Sequence, residues 1–176
     1  AKILVRLPLV GKADLDREMA EIGEVPANVI FDDPGMYPDF INAYLSREAD
    51  MHLANCLNAA DLVITWASTL IIDAFAFNKP VILLGFDATP RPYSEGILRF
   101  YDYDHHRPIL HENAARLAKS TTELRQWAER YLADPELDKA GRNKIGRMYC
   151  GNLDGKSGER LGKFLVDIAE IDKSRS

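Results

Sequence analysis

Residues 61–85 read DLVITWASTLIIDAFAFNKPVILLG and contain two apolar runs on either side of a helical pattern. The runs at 61–65 and 81–85 are short and nearly continuous, which is typical of strands covered on both sheet faces. Between them, residues 68–77 predict a helix that a Lys-Pro pair ends. The order strand, helix, strand predicts a parallel sheet and therefore an α/β fold.

The same alternation extends along the rest of the chain. Strands are predicted at 3–7 and 28–31, with a short fifth strand at 108–110, and helices at 14–22, 39–45, 50–60, 123–132, 135–148 and 158–171. Residues 86–103 predict a long loop of functional character. We predict a single domain over 1–176. It has a Rossmann-like parallel sheet of about four to five strands with helices on both faces, and a helical C-terminal tail over 112–176.

Composition narrows the class of protein. The 176 residues carry a formal charge of -5, with 47% hydrophobic and 28% charged residues, so an ordered domain is expected. The acidic balance argues against a nucleic-acid partner. Two cysteines make neither a disulfide framework nor a zinc site, and no apolar run reaches the roughly 18 residues of a membrane span.

We expect a cytoplasmic protein. Residues 135–176 carry 9 Lys/Arg and 7 Asp/Glu, so peripheral binding at the inner membrane face has only weak support.

A phosphate-binding turn is predicted between the first of these strands and its helix. Ser68 and Thr69 follow a strand that ends in Thr65, and a helix start exposes unpaired N–H groups that suit phosphate. Ligands of open α/β sheets bind at this end of the strands. Asp73 would accept from sugar or ribose hydroxyls. The alternative is that Ser68 is an ordinary helix cap and Asp73 a solvated side chain.

Arginines beside this edge are candidates for a diphosphate. Arg91 and Arg99 lie in the long loop and Arg6 follows a predicted strand, and guanidinium groups bind phosphate in a bidentate manner. A solvated loop and a surface ion pair are the alternatives.

His105, His106 and His111 complete no ligand set, so no metal is predicted. Trp66 and Trp127 are predicted to pack in the core or at a sheet edge. Dinucleotide, P-loop and hydrolase motifs are absent from the sequence.

Four segments in order resemble the C-terminal domain of GT-B glycosyltransferases, especially the CDP-glycerol glycerophosphotransferase branch. They are Thr65-Trp66-Ala67-Ser68-Thr69 with Asp73 and Lys79-Pro80; Arg99-Phe100-Tyr101-Asp102-Tyr103; Ser120-Thr121-Thr122-Glu123-Leu124; and Asp154-Gly155-Lys156 with Glu159-Arg160. The chain departs from the family pattern at two places. Leu7-Pro8 stands where the family often has His-Pro, and Trp-Ala-Ser-Thr stands for its Asp-Tyr-Ser-Ser. The donor is therefore either CDP-glycerol or a nucleotide-sugar.

The resemblance implies that the chain is the donor-binding half of a larger transferase that builds a cell-surface polysaccharide. Ser68 and Thr69 would hold the diphosphate, and the nucleobase would lie near Asp33, Gly35 and Met51. The acceptor would attack an activated carbon or phosphorus of the donor and displace the nucleotide. Charge building on the leaving diphosphate would be stabilised by N–H groups and an Arg, without a required metal or other cofactor. The missing N-terminal domain would bring the acceptor and the catalytic base, upstream of Ala1. The isolated chain would then be inactive.

Two other functions remain open from the sequence. One is a domain of a UDP-N-acetylglucosamine 2-epimerase-like enzyme, which shares the fold and transfers nothing. The other is a non-catalytic module that binds a nucleotide or a protein partner. Failure of the chain to bind UDP, CDP or a nucleotide-sugar would favour a module that binds a protein partner over the transferase and the epimerase-like enzyme.

Overall fold

A computed structural model describes residues 1–6, 20, 24–32 and 47–173, and for 170–173 the backbone alone. The helices predicted at 39–45 and, apart from residue 20, at 14–22 lie outside the described residues. The chain divides into two compact units, Ala1–Asn55 and Cys56–Ser176.

The first unit contains a parallel pair of strands. β1 (Ile3–Arg6) pairs with β2 (Val29–Asp32), in a register that places Ile3 opposite Val29 and Arg6 opposite Asp32. Both strands were predicted from their apolar runs. Helix α1 (Arg47–Ala59) begins in this unit and carries its apolar residues at helical spacing.

The second unit contains a three-stranded parallel sheet. Its strands β3 (Val63–Thr65), β4 (Val81–Leu84) and β5 (Arg116–Ala118) lie in the order β3-β4-β5. Helix α2 (Leu70–Ala76) connects β3 to β4. β4 is central, and its Val81, Ile82 and Leu83 are fully buried, as expected for a strand covered on both faces.

Helices follow β4 along the chain. A 3-10 helix, η1 (Ile97–Asp102), and α3 (Arg107–His111) precede β5. After β5 come α4 (Thr121–Ala133), α5 (Lys139–Cys150) and α6 (Ser157–Lys173). Ser120 Oγ accepts from the N–H of Glu123 at 3.2 Å and so caps α4. α4 packs on β4 and β5, whereas the side chains of α6 from 157 to 169 are all exposed.

Close packing of α5 depends on glycine. A Cβ at Gly141 would lie 2.2 Å from the carbonyl oxygen of Glu112, so no larger residue fits without moving the backbone. Four residues of α5 are buried, which are Gly141, Arg142, Ile145 and Gly146. The N-terminal part of α5 is therefore held against the segment between α3 and β5.

A polar cluster surrounds the start of α5, and we call Arg116, Tyr131, Asp138 and Arg142 the anchor network. Asp138 accepts from Arg116 Nε at 2.7 Å, from Arg116 Nη2 at 2.5 Å and from Tyr131 OH at 2.8 Å. Arg142, which is 0% exposed, donates to the carbonyls of Leu137 and Pro135. Every charged group of the network is thus hydrogen-bonded, and Asp138 with Arg116 also forms an ion pair.

The structure corrects one predicted element and adds two others. One of the two is η1, which lies within the predicted loop at 86–103. Residues 108–110 were predicted as a strand but lie within α3, because a proline near a helix start suits the first turn. The additional strand is β5, inside the predicted helical tail. The mixed α/β class is confirmed, with parallel sheets of two and three strands. No described helix combines the length and apolar character needed to cross a bilayer.

Candidate functional site

The carboxyl ends of β3, β4 and β5 meet at one edge of the three-stranded sheet because the strands are parallel. Gly85 follows β4 there, and its N–H donates to the Ala118 carbonyl at 2.8 Å. A Cβ at Gly85 would lie 2.7 Å from Leu117 Cδ1, so glycine permits this close approach. This edge is where open α/β sheets place their ligands.

The turn from β3 to α2 presents hydrogen-bond donors at this edge. Thr65 is buried at the end of β3, and Ser68 Oγ accepts from the N–H of Leu70 at 3.3 Å. Thr69 precedes α2 and makes no side-chain cap. Within the described part of the chain, the N–H groups of Ala67, Ser68 and Thr69 have no acceptor. The turn therefore offers N–H and hydroxyl groups to an anion.

Asp73 lies in the first turn of α2 and is exposed, yet neighbouring atoms shield it enough to raise the pKa of its carboxyl. Burial raises the pKa of the Cys150 thiol at the end of α5, and the Asp73 charge raises it further. Asp73 therefore lies close enough to Cys150 for their charges to interact.

Three aromatic side chains line the same edge, and we call Trp66, Phe100 and Tyr103 the aromatic shelf. The rings of Trp66 and Phe100 meet edge to face, 6.0 Å apart at 89°. Those of Phe100 and Tyr103 do so at 5.7 Å and 83°. Trp66 is 51% exposed and Tyr103 48%. Sequence patterns did not indicate this contact, because Trp66 was expected to pack in the core or at a sheet edge.

Buried hydrogen bonds hold the shelf in place. Tyr101 OH donates to the carbonyl oxygen of Leu84 at 2.6 Å, which ties η1 to the end of β4. Nδ1–H of the buried His106 donates to the Phe100 carbonyl at 2.9 Å. Burial lowers the pKa of His106, although its hydrogen bond to Phe100 opposes the shift. His106 is thus a structural residue of this loop.

The two loop arginines differ in their surroundings. Arg99 stacks on the shelf, with Cζ 4.7 Å from the centre of the Phe100 ring, and donates from Nη1 to the Ser94 carbonyl. Its buried Nε has no partner among the described residues. Arg91 is exposed and makes no hydrogen bond or ion pair with a described residue. Of the two, Arg99 is the one tied to the carboxyl edge.

Arg6 and Met51 are the two predicted site residues of the first unit that the structure describes. Arg6 Nη1 donates to Asp32 Oδ2 at 2.6 Å, and Asp32 Oδ1 is 2.7 Å from His52 Nε2. Burial opposes ionisation of Asp32, but the hydrogen bonds from His52 and Arg6 outweigh it and hold its pKa below the usual range. Met51 is 55% exposed on α1. Asp33 and Gly35 lie outside the described residues.

A separate groove of about 470 Å³ is lined by the end of α2, by α5 and by residues 151–154. None of the predicted site residues lines this groove. Its polar lining includes Arg147 and Asn143, but its volume alone assigns no ligand. The carboxyl edge carries the more specific chemistry, because its hydroxyls, N–H groups and aromatic rings belong to adjacent segments.

Comparisons with protein families, with curated proteins and with solved structures found no match to this chain.

Proposed function

We propose that the carboxyl edge of the three-stranded sheet binds the diphosphate of a nucleotide-activated donor. The chain would be the donor-binding part of a glycosyltransferase or polyol-phosphate transferase of cell-surface polysaccharide synthesis. The observation that supports this most directly is the turn from β3 to α2. Its Ala67, Ser68 and Thr69 N–H groups lack acceptors within the described residues, and its hydroxyls lie beside them.

Three further observations support the proposal. Parallel strands bring the turn, Gly85 and the end of β5 to one edge, as in nucleotide-binding α/β folds. Arg99 supplies a guanidinium next to the aromatic shelf. The parallel pairing within each sheet agrees with a larger, Rossmann-like sheet of four to five strands, which is part of the proposal.

The test is calorimetric titration of the chain with UDP, CDP and inorganic pyrophosphate. The double variant Ser68→Ala/Thr69→Ala removes both hydroxyls of the turn. A hydrogen bond to a charged group contributes about 1.5–3 kcal/mol, so affinity is expected to fall by tenfold or more. The matched control is Thr121→Ala/Thr122→Ala, which removes two adjacent hydroxyls at the start of α4.

The control pair is expected to leave affinity unchanged. Thermal unfolding of both variants checks that the turn remains folded, because Ser68 also accepts from Leu70. No binding of any of the three ligands at millimolar concentration would refute the donor site. Equal losses in the two double variants would remove the assignment of Ser68 and Thr69. Donor binding without transfer activity, measured on a protein that includes the proposed N-terminal domain, would favour the non-catalytic module.

A further inference from the structure

Three side chains that can bind a metal ion converge where β2 ends. Among the residues that the structure describes, Asp32, His52 and Cys56 form a set whose ligand atoms all lie within 4.8 Å of one another. The set combines a carboxylate oxygen, an imidazole nitrogen and a thiol sulfur, which are the donor types that bind zinc in proteins. A purely acidic cluster would instead suit calcium or magnesium.

Helix geometry places two of these ligands on one face of α1. His52 and Cys56 are four residues apart on this continuous helix, so their side chains lie one turn apart on the same side. The same spacing brings together the two zinc-binding histidines of metalloprotease helices. The position of Cys56 relative to His52 is therefore set by the helix itself.

Asp32 supplies the third ligand from the end of β2. Its Oδ1 lies 2.7 Å from His52 Nε2, and its side chain is only 9% exposed. Arg6 Nη1 donates to the other oxygen, Oδ2, at 2.6 Å. Carboxylates that bind a metal are themselves hydrogen-bonded, which orients them toward the ion. The pairing with Arg6 thus leaves Oδ1, the oxygen next to His52, for the ion.

The distances fit a zinc ion after a small adjustment. Two ligands at about 2.0–2.1 Å from a tetrahedral zinc are about 3.3 Å apart, so the Asp32–His52 contact of 2.7 Å would widen by roughly 0.6 Å. The His52 side chain is half exposed and can make this shift at little cost. The carboxylate and a thiolate together balance the charge of the ion, so Arg6 would lie beside a neutral centre.

We propose that Asp32, His52 and Cys56 bind zinc as three protein ligands of a tetrahedral site. Water would take the fourth position, as in zinc sites that remain open to a substrate. The proposal does not depend on the diphosphate site of the proposed function. Sequence spacing did not indicate this set, because Asp32 and His52 are 20 residues apart and the fold brings them together.

The experiment uses cobalt as a spectroscopic substitute for zinc. The chain is titrated with Co²⁺ under reducing conditions, and Zn²⁺ is then added. We expect the intense visible bands of tetrahedral cobalt and a near-ultraviolet band from thiolate-to-cobalt charge transfer, both abolished by zinc. The near-ultraviolet band reports the bond to sulfur directly.

Two variants remove one ligand each. Cys56→Ser is expected to lose the near-ultraviolet band. His52→Gln keeps an N–H that can donate to Asp32 and is expected to weaken zinc binding about 100-fold or more, because loss of even a partner of a ligand costs about 10–100-fold. The matched controls are Cys150→Ser, at the other cysteine, and His111→Gln, at an exposed histidine. Both controls are expected to keep the spectrum and the affinity.

Thermal unfolding shows whether each variant is folded, and zinc is expected to raise the midpoint only where the three ligands are intact. A folded wild type without a thiolate band, or a band that persists in Cys56→Ser, would overturn the site. Equal losses in Cys56→Ser and Cys150→Ser would show binding to thiols in general and would overturn it as well. Unchanged zinc affinity in His52→Gln would have the same consequence. None of these results bears on the binding of UDP, CDP or pyrophosphate.

Discussion

The anchor network and the carboxyl edge use the same kinds of polar group in opposite ways. In the network, both oxygens of Asp138 and all three nitrogens of the Arg142 guanidinium have partners within the chain. At the edge, the donors of the β3–α2 turn have none among the described residues, and Trp66 is half exposed. Polar groups that stabilise the fold are hydrogen-bonded within the chain, whereas groups that bind a ligand must keep hydrogen-bond donors or acceptors available.

The largest effect is expected from Gly141→Ala, which breaks the packed side of this comparison. The new Cβ would overlap the Glu112 carbonyl at 2.2 Å and the Ala114 nitrogen at 2.9 Å. Overpacking against backbone is expected to cost about 3 kcal/mol of unfolding free energy. Chemical denaturation measures it. Gly162→Ala on α6 is the control, since nothing lies within 4 Å of its Cβ and alanine favours a helix by up to about 1 kcal/mol. Similar values for the two variants would contradict the close approach.

A smaller loss is expected from Asp138→Asn, which removes the charge that pairs with Arg116. Breaking this largely buried pair is expected to cost about 2 kcal/mol at neutral pH. Burial tends to raise the pKa of Asp138, but the bonds from Arg116 and Tyr131 lower it below the usual 3.8. The stabilisation is therefore present above pH 3.8 and is lost as pH falls through the lower, folded-state pKa.

Unfolding curves measured between pH 7 and pH 2.5 should therefore converge for wild type and Asp138→Asn at the acid end. Glu129→Gln is the control, because Glu129 forms an exposed pair with Arg125 of little worth. A constant difference between wild type and Asp138→Asn over the whole range would show that the Asp138 charge does not contribute.

The smallest effect is expected at His106, which supports the exposed side of the comparison. Burial lowers its pKa, so the folded chain disfavours the charged ring. Its contribution to stability is complete above the unfolded value of 6.5 and declines as pH falls below it. Hydrogen exchange of residues 97–106 should therefore quicken modestly between pH 7.5 and 5.5, after correction for intrinsic rates. His106→Gln should remove this dependence and His111→Gln, at an exposed position, should keep it.

Much of the second unit could be predicted because its signals are local. The apolar runs of β3 and β4, the helix between them and the capped start of α4 follow from neighbouring residues. β5 could not be predicted, because Arg116–Ala118 is short and carries a charge, and becomes a strand through its pairing with β4. Residues 108–110 were assigned wrongly because a short apolar run fits a strand or a buried helix equally well.

The position of the β3–α2 turn could be predicted from the sequence, whereas the aromatic contacts around it could not. Thr65, Ser68 and Thr69 lie within five consecutive residues, so their placement at the end of β3 followed from the strand. The contact between Trp66 and Phe100 joins segments that the sequence separates by a whole helix and strand. It depends on the bond of Tyr101 to Leu84, and no periodicity reports such a bond.

The order β3-β4-β5 has a consequence for how the second unit is made. Each strand lies beside the one that precedes it in the chain, so no strand has to insert between two that are already paired. During synthesis the sheet can grow at one edge as each segment leaves the ribosome, with residues 66–80 and then residues 85–115 to close at successive steps. The turn at Ser68 is then complete once β4 has paired with β3, before the helices that follow β5 exist.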